Sequence, residues 1–367
     1  MPSFLKPEQK DLSDPSGGQL TTCIMVDLGI VGCGAVAGEH LRTVKRIEDL
    51  KPVAVCDTNR ELASKTSKEW NVDRFYTNFE EMLEGESLSI VSILTPPRSH
   101  APLCVAAVKR GVNILVEKPF TVTTHEANEV LDSLKGSRVK LTVDHNWLFN
   151  NAVKTALSYV KSGSAGEVLG MSIECLHTTD DHMAADRRHW CHTLPGGRIG
   201  EMLPHPAYVL QTFLGDALTP RITLAGKRGP RDWMRSDELY VALQGSTGMG
   251  QVYVSFNAPR PSILIDIYCT RKVLRVDLLN QTFLKLGHRT FSKAQSGLDV
   301  LGISSRLLLQ TAQNVRYLLH GTGEEAIHTV YTSLMQSIAT GQPPMVTPEA
   351  AYNTVDLVEQ ICRDMQS

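Results

Sequence analysis

The sequence predicts an α/β protein built of two parts: an N-terminal Rossmann domain with a doubly wound parallel sheet, and a C-terminal α+β domain with a large, mostly antiparallel open-faced sheet. Three observations predict it. The apolar run that opens VDLGIVGCGAVAG, residues 26–38, enters a glycine-rich turn and then a helical pattern, the order of a dinucleotide-binding strand, turn and helix. Apolar strands and amphipathic helices then alternate as far as residue 145, as a parallel sheet requires. Past that point residues 167–176, 238–244, 251–256, 263–269, 272–278 and 281–286 read as strands in close succession, which favours consecutive antiparallel pairing.

In the opening unit Gly32 permits a tight turn, Gly34 lets backbone approach a pyrophosphate, and Ala37 allows close helix-on-strand packing. Cys33, Ala35 and Val36 complete a turn whose following helix N-terminus favours negative charge. Leu41, Val44 and Ile47 continue the apolar face of the crossover helix. The second strand, VAVC, ends in Asp57, where a carboxylate meets adenosine ribose hydroxyls. After a helix over residues 61–70, residues 89–94 read as a buried parallel strand. Thr95-Pro96-Pro97 stops it and places Arg98, Ser99 and His100 on the edge where open α/β sheets bind ligands. Residues 112–116 deliver Glu117-Lys118-Pro119 to the same edge, either as site residues or as a strand-end ion pair.

Thr123 and Glu126 form a capping box for a helix faced by Ala127, Val130, Leu131 and Leu134, and residues 138–143 supply a sixth strand. Residues 304–319 read as an amphipathic helix with Leu308, Ala312, Val315 and Leu319 on one stripe, suited to packing or an interface. Thr347 and Pro348 open a terminal helix. The expected organisation is a disordered leader over 1–22, a dinucleotide-binding domain over 23–145, a substrate and oligomerisation domain over 146–346, and a helix over 347–367 that returns toward the first domain.

With 367 residues the chain is long enough for two cores, since single cores seldom grow past about 250 to 300 residues. A net charge of −2 gives no reason to expect nucleic acid or an acidic membrane as partner. The eight cysteines include no Cys-x-x-Cys pair and several fall on buried strands, which suits a reduced, cytoplasmic protein. No apolar run reaches the roughly 18 residues of a membrane span.

The text GIVGCGAVA, VAVCD, SILTPPRSH, GVNILVEKPF, LPGGRIGEMLPHPAYVL and IATGQPPMVTPEAAYNTVDLVE resembles the glucose-fructose oxidoreductase, inositol dehydrogenase and MocA (Gfo/Idh/MocA) family over nearly everything after the leader. The resemblance implies an N-terminal Rossmann domain, an open-faced sheet that often mediates oligomerisation, and nicotinamide-dependent redox chemistry on sugars and cyclitols. It implies that Lys118 hydrogen-bonds the reacting oxygen, that His205 accepts the proton, and that Glu201 stands for the family's aspartate. Physically, removal of hydride from a carbinol requires its hydroxyl proton to leave, and histidine exchanges protons near neutral pH. Glu201 and His205, four apart, share a helix face, so the carboxylate is expected to orient the ring and favour its charged form. Pro204 and Pro206 bracket His205, Tyr208 stands where the family often has an acidic residue, and Pro97 stands where it more often has asparagine.

The expected cofactor contacts are Gly32, Cys33, Gly34, Ala35, Val36, Asp57, Arg60, Thr95, Pro96, His100, Glu117 and Lys118. Asp57 at about 4 Å from a ribose phosphate repels it by roughly 4 kcal/mol at an effective dielectric of 20, so NAD is preferred, while Arg60 keeps NADP from being excluded. Residues 177–192 are dense in His, Asp, Arg and Cys. Their spacing matches no closed zinc site, so they read as a polar substrate lining and no metal is expected; Arg187 and Arg188 hint at an anionic group on the substrate. The expected partners are a small polyhydroxylated substrate and a second copy of the chain, as a homodimer or homotetramer through the C-terminal sheet. Two rival functions stand beside the dehydrogenase: an enzyme that recycles tightly bound NAD during elimination, epimerisation or glycoside cleavage, and a sensor that binds dinucleotide or sugar without turnover.

Overall fold

The computed structural model describes residues 25–287, 293–320 and 323–366, so the leader expected over 1–22 lies outside the described residues. The first sheet contains β1 (Val26–Val31), β2 (Leu50–Cys56), β3 (Arg74–Tyr76), β4 (Ile90–Ile93), β5 (Asn113–Val116) and β6 (Leu141–Val143). All pair in parallel, in the order β3-β2-β1-β4-β5-β6. Strand order reverses between β1 and β4, and ligands of open α/β sheets bind at the carboxyl ends beside such a point.

Helices α1 (Ala37–Val44), α2 (Arg60–Trp70), α3 (Phe79–Gly85), α4 (His100–Lys109) and α5 (Thr124–Leu134) connect these strands. Their starts are set locally. Asn59 and Asn78 accept the first free N–H groups of α2 and α3, and Thr123 with Glu126 closes the expected capping box on α5.

The second part contains α6 (Asn151–Lys161), β7 (Val168–Thr178), α7 (His182–Ala185), α8 (Gly197–Met202), α9 (Pro204–Leu214), β8 (Thr219–Gly226), β9 (Glu238–Gln244), β10 (Met249–Ala258), β11 (Ser262–Cys269), β12 (Val273–Asp277) and β13 (Thr282–Leu286). Its sheet runs β13-β12-β11-β7-β10-β9-β8.

Two features correct the expected consecutive antiparallel sheet. Strand β7 is inserted between β10 and β11 and pairs in parallel with β10; the excursion through α7, α8 and α9 supplies the long crossover that parallel neighbours need. Strand β8 is an additional edge strand. Most of its residues are exposed, so no apolar alternation marks it in the sequence. Helices α6 and α9 pack against this sheet. Ile222, Leu224, Met249, Tyr253 and Tyr268 stay exposed, Leu224 at 62%.

Helix α10 (Lys293–His320) is longer than the span read from the sequence. Its expected stripe faces outward: Leu308 is 72% exposed, and Ala312 and Val315 are exposed as well, while the side chain of Leu319 lies outside the described residues. What docks the helix is polar. The Gln310 side chain accepts from Phe283 N–H at 2.7 Å and donates to the Phe283 carbonyl at 2.8 Å, taking the place of a strand neighbour along the β13 edge.

Helix α11 (Gly323–Thr340), which the sequence reading did not resolve, places Ala326, Ile327, Val330, Tyr331 and Leu334 in the core of the first domain. Helix α12 (Pro348–Asp364) starts at the expected Thr347 cap, whose side chain accepts from Ala350 N–H. It packs against α5, α9, β6 and β8, with Val355 in the first core and Leu357 and Ile361 in the second. Among the described residues no helix is long and apolar enough to cross a membrane.

Candidate active site

The carboxyl ends of β1, β4 and β5 converge. Gly32 leaves β1 with φ +95°, and a Cβ there would sit 2.8 Å from backbone atoms of Leu94, so only glycine fits this turn. Asp57 at the end of β2 accepts the Cys33 N–H at 2.8 Å through Oδ2 and the Asn59 N–H at 2.8 Å through Oδ1. The turn and the carboxylate are therefore locked together. Beyond them a Cβ added to Gly34 would meet nothing within 4 Å, and Gly34, Ala35 and Val36 are exposed. This cradle, with a fixed carboxylate at its edge and α1 opening behind it, fits a dinucleotide: pyrophosphate against the Gly34 backbone and ribose hydroxyls at Asp57. Arg60 lies over the Phe75 ring at 5.2 Å.

On the second lip Pro96 is exposed and Thr95 half-buried, and the Thr95 hydroxyl accepts from Ser99 Oγ at 2.7 Å. His100, expected to touch the cofactor, is instead wholly buried. Its Nδ1 lies 2.9 Å from the Pro119 carbonyl and its Nε2 2.8 Å from the Thr95 carbonyl. It ties the two lips together, and burial lowers its pKa.

Glu117, also expected at the cofactor, points inward too: Oε1 is 3.1 Å from His40 Nε2, and Oε2 accepts the Lys118 N–H at 3.1 Å. Burial opposes its charge, but the hydrogen bond from His40 and the charges of His40 and Lys118 hold it below the usual carboxylate range. His40 Nδ1 is 2.9 Å from the Tyr331 hydroxyl, which also meets Ser92 Oγ at 2.8 Å. Asp144 is buried beside this group, and neither carboxyl oxygen has a hydrogen-bond partner among the described residues. Burial and then the charge of Glu117 push its pKa well up. With His40 Nε2 3.8 Å from Oδ2 and Glu117 beside it, a carboxyl in that place is tolerable as the neutral acid.

Lys118 crosses to the second domain. Its Nζ contacts a carboxylate oxygen of Glu201 on α8 and lies 3.4 Å from the Glu201 carbonyl. The other Glu201 oxygen contacts Arg198, and Arg198 forks onto Asp181 at 3.1 and 3.0 Å. His177 Nδ1 is 3.5 Å from Asp181, and its Nε2 is buried without a partner among the described residues. The Phe256 ring backs both His177, at 4.8 Å between centroids, and the Arg198 guanidinium, at 4.9 Å. Burial acts to raise the pKa of Glu201, yet the charges of Lys118 and Arg198 lower it. The carboxylate stays ionised.

Glu201 is thus committed to Lys118 and Arg198 and does not orient His205, contrary to the expectation from their four-residue spacing. Tyr208 takes that place, with its hydroxyl 2.8 Å from His205 Nδ1. Trp147 stacks on the ring at 4.5 Å. Burial, then the charge of Lys118, drives the His205 pKa well below its ordinary value, opposite to the charged form expected. Arg198 and Tyr208 were not read as site residues, while His177 and Asp181 fall in the stretch read as a polar substrate lining without a named partner. Arg198 three positions before Glu201 and Tyr208 three after His205 were legible as same-face pairs; the pairing of Asp181 and His177 with Arg198 joins remote segments and carried no such signal.

A cavity of about 490 Å³ lies between the domains, lined by Arg98, Thr123, His192, Arg198, Trp233 and Arg235 among others. The dense stretch 177–192 forms its donors into hydrogen bonds and ion pairs, such as His192 Nε2 to the Met183 carbonyl at 3.1 Å. Among the described residues the three-donor group compact enough for a metal is His40, Glu117 and Asp144, within 4.8 Å of one another.

Fold and site define a two-domain protein whose first domain is a Rossmann domain with a turn that fits a dinucleotide. Residues 26–145, about a third of the chain, match the family model GFO_IDH_MocA, described as an oxidoreductase family with an NAD-binding Rossmann fold. The chain is similar to Oxidoreductase P35 of Formosa agariphila, 27% identical over 196 residues that cover 52% of this chain and 61% of that protein. It is also similar to an alpha-N-acetylgalactosaminidase of Tannerella forsythia, 30% identical over 185 residues covering 48% and 39%. The chain thus spans less than two thirds of the length of these curated relatives. A levoglucosan dehydrogenase in complex with NADH shares the fold, with a TM-score of 0.75 and 18% identity over 93% of this chain and 97% of that one.

Two outcomes follow from this geometry. Gly34→Ala is expected to leave thermal unfolding of the apo chain unchanged and to weaken NADH binding at least tenfold by calorimetry, because the added methyl occupies space only a ligand would use; undiminished affinity would remove the dinucleotide from that turn. His145, His177 and His205 all have pKa values lowered by burial, His145 to about 3 and His177 to about 4. Each stays neutral when folded and takes a proton when unfolded once pH drops below its ordinary 6.5. Stability is therefore present above that pH and is lost on acidification, at up to about 1.4 kcal/mol per pH unit each for His145 and His177. Urea unfolding at pH 7.5 and 5.5 reads this loss, and His145→Gln should make it shallower; equal slopes would refute the assignment.

Proposed function

We propose that the protein transfers hydride between NAD and a secondary alcohol or ketone of a sugar, nucleotide sugar or cyclitol, with Lys118 and His205 at the reacting oxygen. The observation that carries this reading is the meeting of Lys118, at the end of β5, with Glu201 on α8, one turn before His205 and beside a turn that fits a dinucleotide. NAD, when bound, supplies the hydride acceptor. The chain's part is to hold the oxygen and govern its proton. A Lys118 ammonium aimed at that oxygen stabilises the negative charge that develops there, and Glu201 keeps the ammonium in place. Asp57 disfavours a ribose phosphate, so NAD is preferred over NADP.

Two supports bear on the substrate. The levoglucosan dehydrogenase that shares the fold is named for a sugar derivative, and a cavity of small-molecule size opens beside Arg198, the partner of Glu201, although Lys118 and His205 do not line it. A panel of sugars, cyclitols and nucleotide sugars with NAD, followed by reduced-cofactor absorbance, tests the reading. Lys118→Ala is expected to lower kcat/KM on any active compound by about 10² to 10⁴. A variant within twofold of the parent would sink the role given to Lys118.

The likeness to an alpha-N-acetylgalactosaminidase favours a second reading, in which NAD is recycled during glycoside cleavage or elimination. Net NADH production separates the two: product release without it supports the second.

We also propose that the outer face of the second sheet pairs two copies of the chain, because Ile222, Leu224, Met249, Tyr253 and Tyr268 together form an exposed apolar surface. Light scattering should give a dimer or tetramer, and Leu224→Asp with Met249→Asp should give a monomer; a monomeric parent at micromolar concentration refutes it.

A further inference from the structure

The ring of His205 is held on one edge only. Nδ1 lies 2.8 Å from the Tyr208 hydroxyl, and among the described residues no hydrogen bond reaches Nε2. The Tyr208 oxygen also accepts the backbone N–H of Trp147 at 3.1 Å. That contact uses a lone pair and leaves the hydroxyl proton to be placed. Tyr208 is 2% exposed, and a buried donor needs an acceptor. Among the described residues the acceptor within reach is His205 Nδ1. A ring nitrogen that accepts a hydrogen bond carries no proton, and a neutral imidazole keeps its single proton on the other nitrogen.

We propose that Tyr208 is a positioning residue that fixes His205 as the Nε2–H tautomer, so that His205 donates a hydrogen bond to the substrate oxygen and Lys118 exchanges the proton with it. The dehydrogenase reading supplies the identity of that oxygen; the tautomer does not depend on it. Burial and the neighbouring Lys118 charge keep the ring neutral near pH 7. A phenol differs from a carboxylate at this point: a carboxylate can only accept, and would hold the proton on Nδ1 and leave Nε2 as a base.

In reduction the carbonyl carbon takes hydride from reduced nicotinamide, and its oxygen takes a proton from the Lys118 ammonium. The products are the alcohol, oxidised nicotinamide and a neutral Lys118 amine, which solvent reprotonates beside Glu201. Oxidation is the reverse, with neutral Lys118 accepting the hydroxyl proton. His205 keeps its own proton throughout.

Long-range ¹H–¹⁵N spectra of the full chain with NAD, labelled at the histidine ring nitrogens and assigned by His205→Gln, read the tautomer directly. The expected pattern for His205 is a protonated Nε2 and a bare Nδ1. Tyr208→Phe should move the Nδ1 signal toward that of a free, unbonded nitrogen, and Tyr208→Glu should transfer the proton to Nδ1. A protonated Nδ1 in the parent overturns the proposal without any variant. For an active substrate, the pH profile of kcat/KM should lack a histidine limb in the parent and gain one in Tyr208→Glu; a parental limb abolished by His205→Gln overturns the assignment to Lys118. If no compound supports turnover, the dehydrogenase reading fails, while the tautomer still stands or falls on the spectrum.

Discussion

A chain of charges, Lys118 to Glu201 to Arg198 to Asp181, buried at its two middle members and half-buried at its ends, ties the first domain to the second. Each of these ions taken singly out of water would cost several kcal/mol. Together they alternate in sign, and each carboxylate is held by at least one cation. The arrangement exists only while β5 and α8 keep their relative positions. Because α9 follows α8 with Pro204 in its first turn, the placement of His205 is set by the same constraint. The geometry of the proposed reaction therefore comes from a charge pattern that neither domain can complete alone.

The lips of the cleft are stiffened in a different way. His100 spans the Thr95 and Pro119 carbonyls, and Asp57 clasps the glycine turn. Behind them Glu117, His40, Tyr331 and Ser92 form a buried polar path from the first sheet to α11. These are groups that carry chemistry in other settings. Here their ring nitrogens and oxygens are occupied, so they position the exposed residues between them.

The first domain was legible because its signals are local. Glycine turn, strand-end Asp57, capping box and double proline each act within a few residues, and the parallel order follows from crossover helices. The second sheet was legible in its strands and not in its order, since the neighbour of β7 is decided by packing across some seventy residues of intervening chain. At the site, residue choice was more legible than partnership. Glu201, His205 and Tyr208 share a helix face in any reading; which pairs with which was decided by Arg198 and Lys118, whose cationic groups attract the carboxylate more strongly than a neutral imidazole does. His100 and Glu117 misled because a residue at a strand's carboxyl end looks the same in sequence whether it turns outward or in.

Helix α12 inserts Val355 into one core and Leu357 with Ile361 into the other. A rigid rod seated in both bodies acts as a splint. Rotation of one domain about a single connecting segment would draw its side chains out of one seat, so wide hinge opening works against this packing.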